Sequence, residues 1–284
     1  MNRRIFFTLI IIMIITIVLT SYLQKYLRKP NEGQIEEAAL KLDECSGNLT
    51  IVYDNNPYEP GLGTAWGFSC LISLNGTTIL FDTGGDRGLL TQNMAKLGVD
   101  INSIQFIVLS HIHGDHTGGL DAVLEINNNV TVYLPATFPS SFKDNVESHG
   151  SGIVEVQDAM KICDCIATTG VLGTSIKEQS LIVRTSEGLV IITGCAHPGI
   201  VSIVREAKEL TGDEIHFVLG GFHLGSKSTN EITQIISEMN ELGVRKVAPV
   251  HCSGNTARRL FKEAFGEDYV EAGVGCSIQF GSET

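Results

Sequence analysis

The sequence predicts a layered α/β domain behind a single N-terminal transmembrane helix. Three observations carry that reading. From Leu49 onward, short apolar runs alternate with helical periods and no long linker intervenes. One uncharged run, Ile5 to Leu23, stands apart from everything that follows. Five apolar runs end in a polar or ligand-type residue, the pattern of a sheet with chemistry along one edge.

The N-terminal run is mostly Ile, Leu, Val, Phe and Met. As a helix it would rise about 28 Å at ~1.5 Å per residue, close to the ~30 Å hydrocarbon core of a bilayer. Arg3 and Arg4 precede it, and Lys25, Arg28 and Lys29 follow, so charge does not set an orientation. Its exit, "LTSYLQK", lacks a small-x-small cleavage pattern. The expectation is an uncleaved anchor over 1–30, a polar tether over 31–47, and one domain over 48–284, with the protein held at a membrane.

Within the domain, "LTIVY", "WGFSCLISL" and "TTILF" read as strands, the last two joined by a hairpin at Asn75-Gly76. Gly88 to Leu97 reads as a helix. "IQFIVLS" is a buried strand, and "GLDAVLEI" is a short helix. Strand-like runs recur at Val130–Leu134, Ile162–Thr168, Leu181–Thr185 and Leu189–Thr193. Gly199 to Leu210 has a helical period and Gly212 a stop signal. "IHFVLGG" and "KVAPV" are buried strands. Between them, Ser228-x-x-Glu231 forms a capping box ahead of a stripe of Ile232, Ile235, Ile236, Met239 and Leu242. Thr256 to Phe265 is the last helix. The loops Tyr58–Thr64 and Thr137–Gly152 are expected to wall a pocket.

All 32 acidic residues lie after position 30, along with fifteen of the 20 basic ones, which leaves that part of the chain at −17. So acidic a body excludes a phosphate-backbone reader, and no nucleic-acid partner is expected. Seven cysteines, an odd number, and no CxxC pair argue against a disulfide framework.

The densest chemistry is "SHIHGDHTGG", Ser110 to Gly119, which holds three of the eight histidines. His111 and His113, at i and i+2 on an extended loop, can face one point. Asp115 and His116 lie beyond the turn at Gly114 and can reach a second. Imidazole and carboxylate suit Zn²⁺ and related ions. Four near-adjacent ligands crowd one tetrahedral ion, so a pair ~3.5–4 Å apart is the natural reading. Asp82, Cys195 with His197, His223 and His251 each follow another apolar run, and neighbouring strand ends converge.

"SHIHGDH" resembles the HxHxDH signature of the metallo-β-lactamase superfamily, "FDTGG" its first motif and "PVHCSG" its last. The resemblance spans about Leu49 to Phe280. It implies a four-layer αββα sandwich and an enzyme holding two divalent ions, Zn first, Mn or Fe as alternatives. It implies Asp82 as support for the metal loop and His251 as a ligand of the second ion. "TGCAHPGIVSIV", "GGFHL" and "HCSG" resemble the branch of 7,8-dihydropterin-6-methyl-4-(β-D-ribofuranosyl)-aminobenzene-5'-phosphate synthases.

Two departures stand out. "TTGVLGTSIKEQS" lacks the superfamily's third site-one histidine, and "TGCAH" has Cys195 where the bridging aspartate is expected. His197 is expected to take over the missing role. Pro198 biases it toward an extended conformation that aims into the site. Cys195 reads either as a thiolate ligand or as a small residue packed beneath the site, and the expectation is that the site does without it. Asp115 and His223 are the catalytic candidates, with Glu178 a weaker one. The expected activity is hydrolysis by metal-bound hydroxide of a phosphoester or related small anionic substrate. The alternatives are a pterin-cofactor synthase and a non-hydrolytic metal sensor or di-iron redox module.

Overall fold

A computed structural model describes residues 40–281. Among them, two sheets carry helices on their outer faces. The first sheet contains β1 (Gly47–Tyr53), β2 (Ser69–Leu74), β3 (Thr77–Phe81), β4 (Phe106–Val108), β5 (Thr131–Pro135), β6 (Gly152–Val156) and β13 (Ser277–Phe280), in the order β13-β1-β2-β3-β4-β5-β6. The second contains β7 (Met160–Cys163), β8 (Ile166–Thr168), β9 (Leu181–Thr185), β10 (Gly188–Thr193), β11 (Ile215–Gly221) and β12 (Lys246–Val250), in the order β12-β11-β10-β9-β8-β7.

Alternation along the strands builds the layers. Ile79 and Phe81 on β3 join Val190 and Ile192 on β10 in a cluster between the sheets. Leu80 between them faces the other way, into a cluster with Leu90 and Met94 of α1 (Arg87–Lys96) and Val123 of α3 (Leu120–Ile126). Leu189 and Ile191 face a third cluster with α5 (Ile200–Thr211), α6 (Thr229–Glu241) and α7 (Asn255–Phe265). A one-residue slip would reverse every one of these faces, which fixes the register.

Strand direction then positions the site. β3 and β4 pair parallel in the first sheet, as do β10, β11 and β12 in the second. Their C-terminal ends therefore share an edge. The helices return the chain to the opposite edge each time.

Several expectations are corrected. The membrane localisation expected from 5–23 is withdrawn. Among the described residues no helix is long and apolar enough to cross a membrane, and 5–23 lies outside them. Of the expected tether, 40–47 is described and lies on the domain: Leu42 and Cys45 are buried, and Leu40 N–H donates to Leu210 O at 2.6 Å. Cys45 forms a disulfide with Cys165, one bond that the reading against a disulfide framework does not anticipate. Ile162–Thr168 is two strands, β7 and β8, folded back at Asp164-Cys165. β2 starts at Ser69 because Gly67, at φ 140°, turns the chain toward the His-rich loop, where Phe68 N–H donates to Asp115 O at 3.2 Å. Thr137–Gly152 is largely α4 (Ser140–Ser148), whose Val146 is buried against the first sheet's helices. The hairpin at Asn75-Gly76 has φ of 48° and 81°, the twist that primed turns require.

Candidate metal centre

Each candidate residue follows a strand at the shared edge. Asp82 follows β3. His111 and His113 follow β4, and Asp115 and His116 open the short helix α2 (Gly114–Thr117). Cys195 and His197 follow β10, His223 follows β11, and His251 follows β12. Asp82, Ala196, His223 and His251 have φ between 47° and 56°, which non-glycine residues rarely adopt. Such strain clusters where function requires a side chain to be aimed.

Asp82 organises the His-rich loop. Its Oδ1 accepts the Ser110 N–H at 2.7 Å, and its Oδ2 accepts the Ser110 hydroxyl at 2.7 Å and lies 2.7 Å from His116 Nδ1. That bond directs His116 Nε2 toward Cys195 Sγ, 3.2 Å away. Ser110 Oγ also lies 2.9 Å from His111 Nδ1, which turns His111 Nε2 toward His113 Nδ1 at 3.0 Å. A carboxylate behind a histidine fixes its tautomer and ring orientation. No side chain fits at Gly194, where a Cβ would come within 2.1 Å of Ser110 Oγ.

Glu178 does the same for the opposite wall. Its buried carboxylate accepts backbone N–H groups from Cys195 at 2.9 Å, Ala196 at 2.9 Å and His197 at 2.8 Å. The turn "CAH" is thereby wrapped around one buried acid. His251 is held by Asp54, which accepts its backbone N–H at 3.2 Å, and by Asn55, whose Oδ1 is 2.9 Å from His251 Nδ1. Trp66 leans on the His251 ring at 4.8 Å between centroids.

The donors meet in three groups, two of which draw on the His-rich loop. His111, Cys195 and His197 each present an atom within 4.8 Å of the others, and so do His116, Cys195 and His251. Asp115 Oδ2 lies 3.7 Å from His116 Nε2 and 3.4 Å from His251 Nε2. Cys195 belongs to both groups. Among the described residues, His197 Nε2 and His251 Nε2 are buried and make no hydrogen bond, His251 having only the Asp115 carboxylate at 3.4 Å. Orphaned buried nitrogens are costly unless something coordinates them. Burial, reinforced by the neighbouring histidines, holds His111 far below its ordinary pKa, so it presents a free nitrogen lone pair. Burial alone would raise the Asp115 carboxyl, but His251 and His116 outweigh it and hold it well below the carboxylate range. Imidazole, carboxylate and thiolate together fit a pair of divalent ions.

The structure brings together Asp82, His111, His113, Asp115, His116, Cys195, His197, His223 and His251. Four contributors had not been singled out or given their roles. Asp54 and Asn55 follow β1 and obey the same strand-end rule. Cys252 directly follows His251, and its Sγ lies 3.3 Å from Cys195 Sγ. Glu178 follows no strand, and only the fold reveals its three N–H contacts. A cavity of about 230 Å³ opens beside His197, lined by Gly173, Thr174, Ser175, Ile176 and Pro198.

Two sheets flanked by helices, with an HxHxDH loop and three further strand ends converging on one centre, define a metallo-β-lactamase-type protein. Residues 67–209 match the metallo-beta-lactamase superfamily, and the chain belongs to it. It is 30% identical over 280 residues to the 7,8-dihydropterin-6-methyl-4-(beta-D-ribofuranosyl)-aminobenzene-5'-phosphate synthase of Methanocaldococcus jannaschii, covering 81% of this chain and 95% of that one. Among solved structures, it resembles a metal-dependent hydrolase of the β-lactamase superfamily, with 29% identity and TM-score 0.70 over 83% of this chain and 99% of the other. The metallo-β-lactamase fold protein YhfI from Bacillus subtilis shares the fold at 12% identity, with TM-score 0.63 over 83% of this chain and all of its own.

Proposed function

We propose that this protein is a metal-dependent hydrolase acting on a phosphoester or a related small anionic substrate. The observation that carries the reading is the pair of donor groups that draw on the His-rich loop and share Cys195, with two buried imidazole nitrogens that make no hydrogen bond among the described residues. In this reading His111, His113, His197 and Cys195 hold one ion, and Asp115, His116, His251 and Cys195 hold the other. Such ions supply a Lewis acid and lower the pKa of water. The chain's own contribution is alignment. Asp82 and Asn55 fix the ring orientations of His116 and His251. Asp115, kept ionised, would bind metal and orient the attacking water toward the substrate. His223 stands at the exposed lip against His197, 4.5 Å between ring centroids. Thr174 and Ser175 line the cavity beside His197 and carry hydroxyls that could donate to a substrate anion.

The test is metal content and turnover of a chromogenic phosphodiester. Asp115→Asn is expected to keep the fold and lose turnover by at least about 100-fold, the cost of misplacing the reacting water. Cys195→Ser is expected to lose bound metal. Full metal content and activity in both variants would refute the reading.

The 30% identity to a synthase of a pterin phosphate supports a second reading, in which the same centre builds a bond rather than hydrolysing one. Product analysis with a dihydropterin carrying a leaving group on its 6-methyl carbon, displaced as the new bond forms, and a ribofuranosyl-aminobenzene phosphate distinguishes the two. A joined product favours synthesis, whereas phosphodiester turnover without one favours hydrolysis.

A further inference from the structure

The two ion positions leave Cys252 and His223 unused, although both face the centre. Cys252 is buried, with its sulfur 3.3 Å from that of Cys195. Cys195, Cys252 and His223 each offer a donor atom within 4.8 Å of the others, and the His223 side is exposed. The backbone makes room for this arrangement. At Gly221 a Cβ would lie 2.7 Å from Cys252 Sγ and 2.4 Å from Gly194 O, so only glycine lets the sulfur sit there. His223 holds φ 53°, a conformation that turns it off the end of β11.

We propose that Cys195, Cys252 and His223 form a thiolate-rich metal position at the lip of the centre, selective for a soft divalent ion such as Zn²⁺ or Cd²⁺. Two sulfurs and one imidazole with an open fourth position match a catalytic-type zinc set. Thiolate donors disfavour Mg²⁺ and Mn²⁺, so this corner biases the whole centre toward thiophilic metals. The inference rests on the proposed metal centre and draws on the same Cys195 sulfur, which bridges two ions at most, so an ion at the lip replaces the bond from Cys195 to one of the other two.

The experiment titrates reduced, metal-free, full-length protein with Co²⁺ and then Cd²⁺. It reads thiolate-to-metal charge-transfer absorption and metal stoichiometry by native mass spectrometry. Wild-type protein is expected to show the absorption of two thiolates. Cys252→Ser is expected to lose about half of it, and its Cd²⁺ affinity against a chelator should fall at least about tenfold, as when even a supporting group is removed. His223→Asn should lower Cd²⁺ affinity while keeping both thiolate signals, and serves if the cysteine variant does not fold. Undiminished charge transfer and Cd²⁺ affinity in both variants would overturn the inference, as would recovery of Cys195 and Cys252 as a disulfide in protein isolated without reductant. If His111→Ala and His116→Ala lose metal while both lip variants bind as wild type, the lip position alone fails. A wild-type protein that binds neither ion overturns the proposed function as well.

Discussion

Asp82 spends both carboxylate oxygens on the His-rich loop and none on the site itself. Asp82→Asn should therefore lower metal affinity about 10- to 100-fold with little change in fold, as measured by chelator competition. Glu178 is the mirror case on the second sheet. Glu178→Gln replaces an acceptor oxygen with a donor facing the N–H groups of Cys195, Ala196 and His197. The expected cost is about 1–3 kcal/mol per group left unsatisfied, visible in chemical denaturation even without metal. The two residues differed in legibility. Asp82 ends an apolar run beside a glycine pair, and its role came with a recognisable motif. Glu178 reaches a turn 17 residues later through a fold contact that no local pattern encodes. Cys252 is hidden differently: it sits in a motif tail, and only its 3.3 Å approach to Cys195 gives it chemistry.

Elements with strong local signals were the legible ones. The capping box at Ser228 and Glu231 forms as expected, with Ser228 Oγ accepting the Glu231 N–H at 3.3 Å. Ser228→Ala should destabilise the domain by about 1 kcal/mol, read by denaturant midpoint. The Ser228 backbone N–H, aided by Lys227 and the Ser228 hydroxyl, holds the Glu231 carboxyl down to about 2. A depressed folded value means the stabilisation is complete above the ordinary glutamate range and is lost as pH falls toward about 2. Glu231→Gln should flatten that part of the acid-unfolding curve, and added salt should shrink the difference because the pair is exposed. By contrast, β13 pairs with β1 across more than two hundred residues, and β7 turns back into β8 within three. Neither a distant partner nor a short hairpin without a glycine leaves a periodic trace. The parallel strands β10, β11 and β12 did leave one, because burial on both faces makes them continuous apolar runs.

For the molecule as a whole, the two sheets are tied by a covalent link as well as by their shared core. Cys45 precedes β1 of the first sheet and Cys165 sits between β7 and β8 of the second, 120 residues apart. Reduction, or Cys45→Ser, should cost about 2–4 kcal/mol while leaving metal stoichiometry unchanged. Denaturation with and without reductant, paired with metal analysis, checks both halves. The odd cysteine count concealed this bond, since parity says nothing about which pairs a fold brings close. The parallel arrangement has a practical consequence for anyone wishing to label or tether this protein. The helix-to-strand returns near Gly98 and Gly212 lie at the edge away from the metal centre, with open space around them, and their φ of 70° and 75° favours insertion beside the glycines over their replacement. A fluorophore, affinity tag or surface linker spliced at these turns would report on the protein from its blind side, leaving the chemistry facing outward.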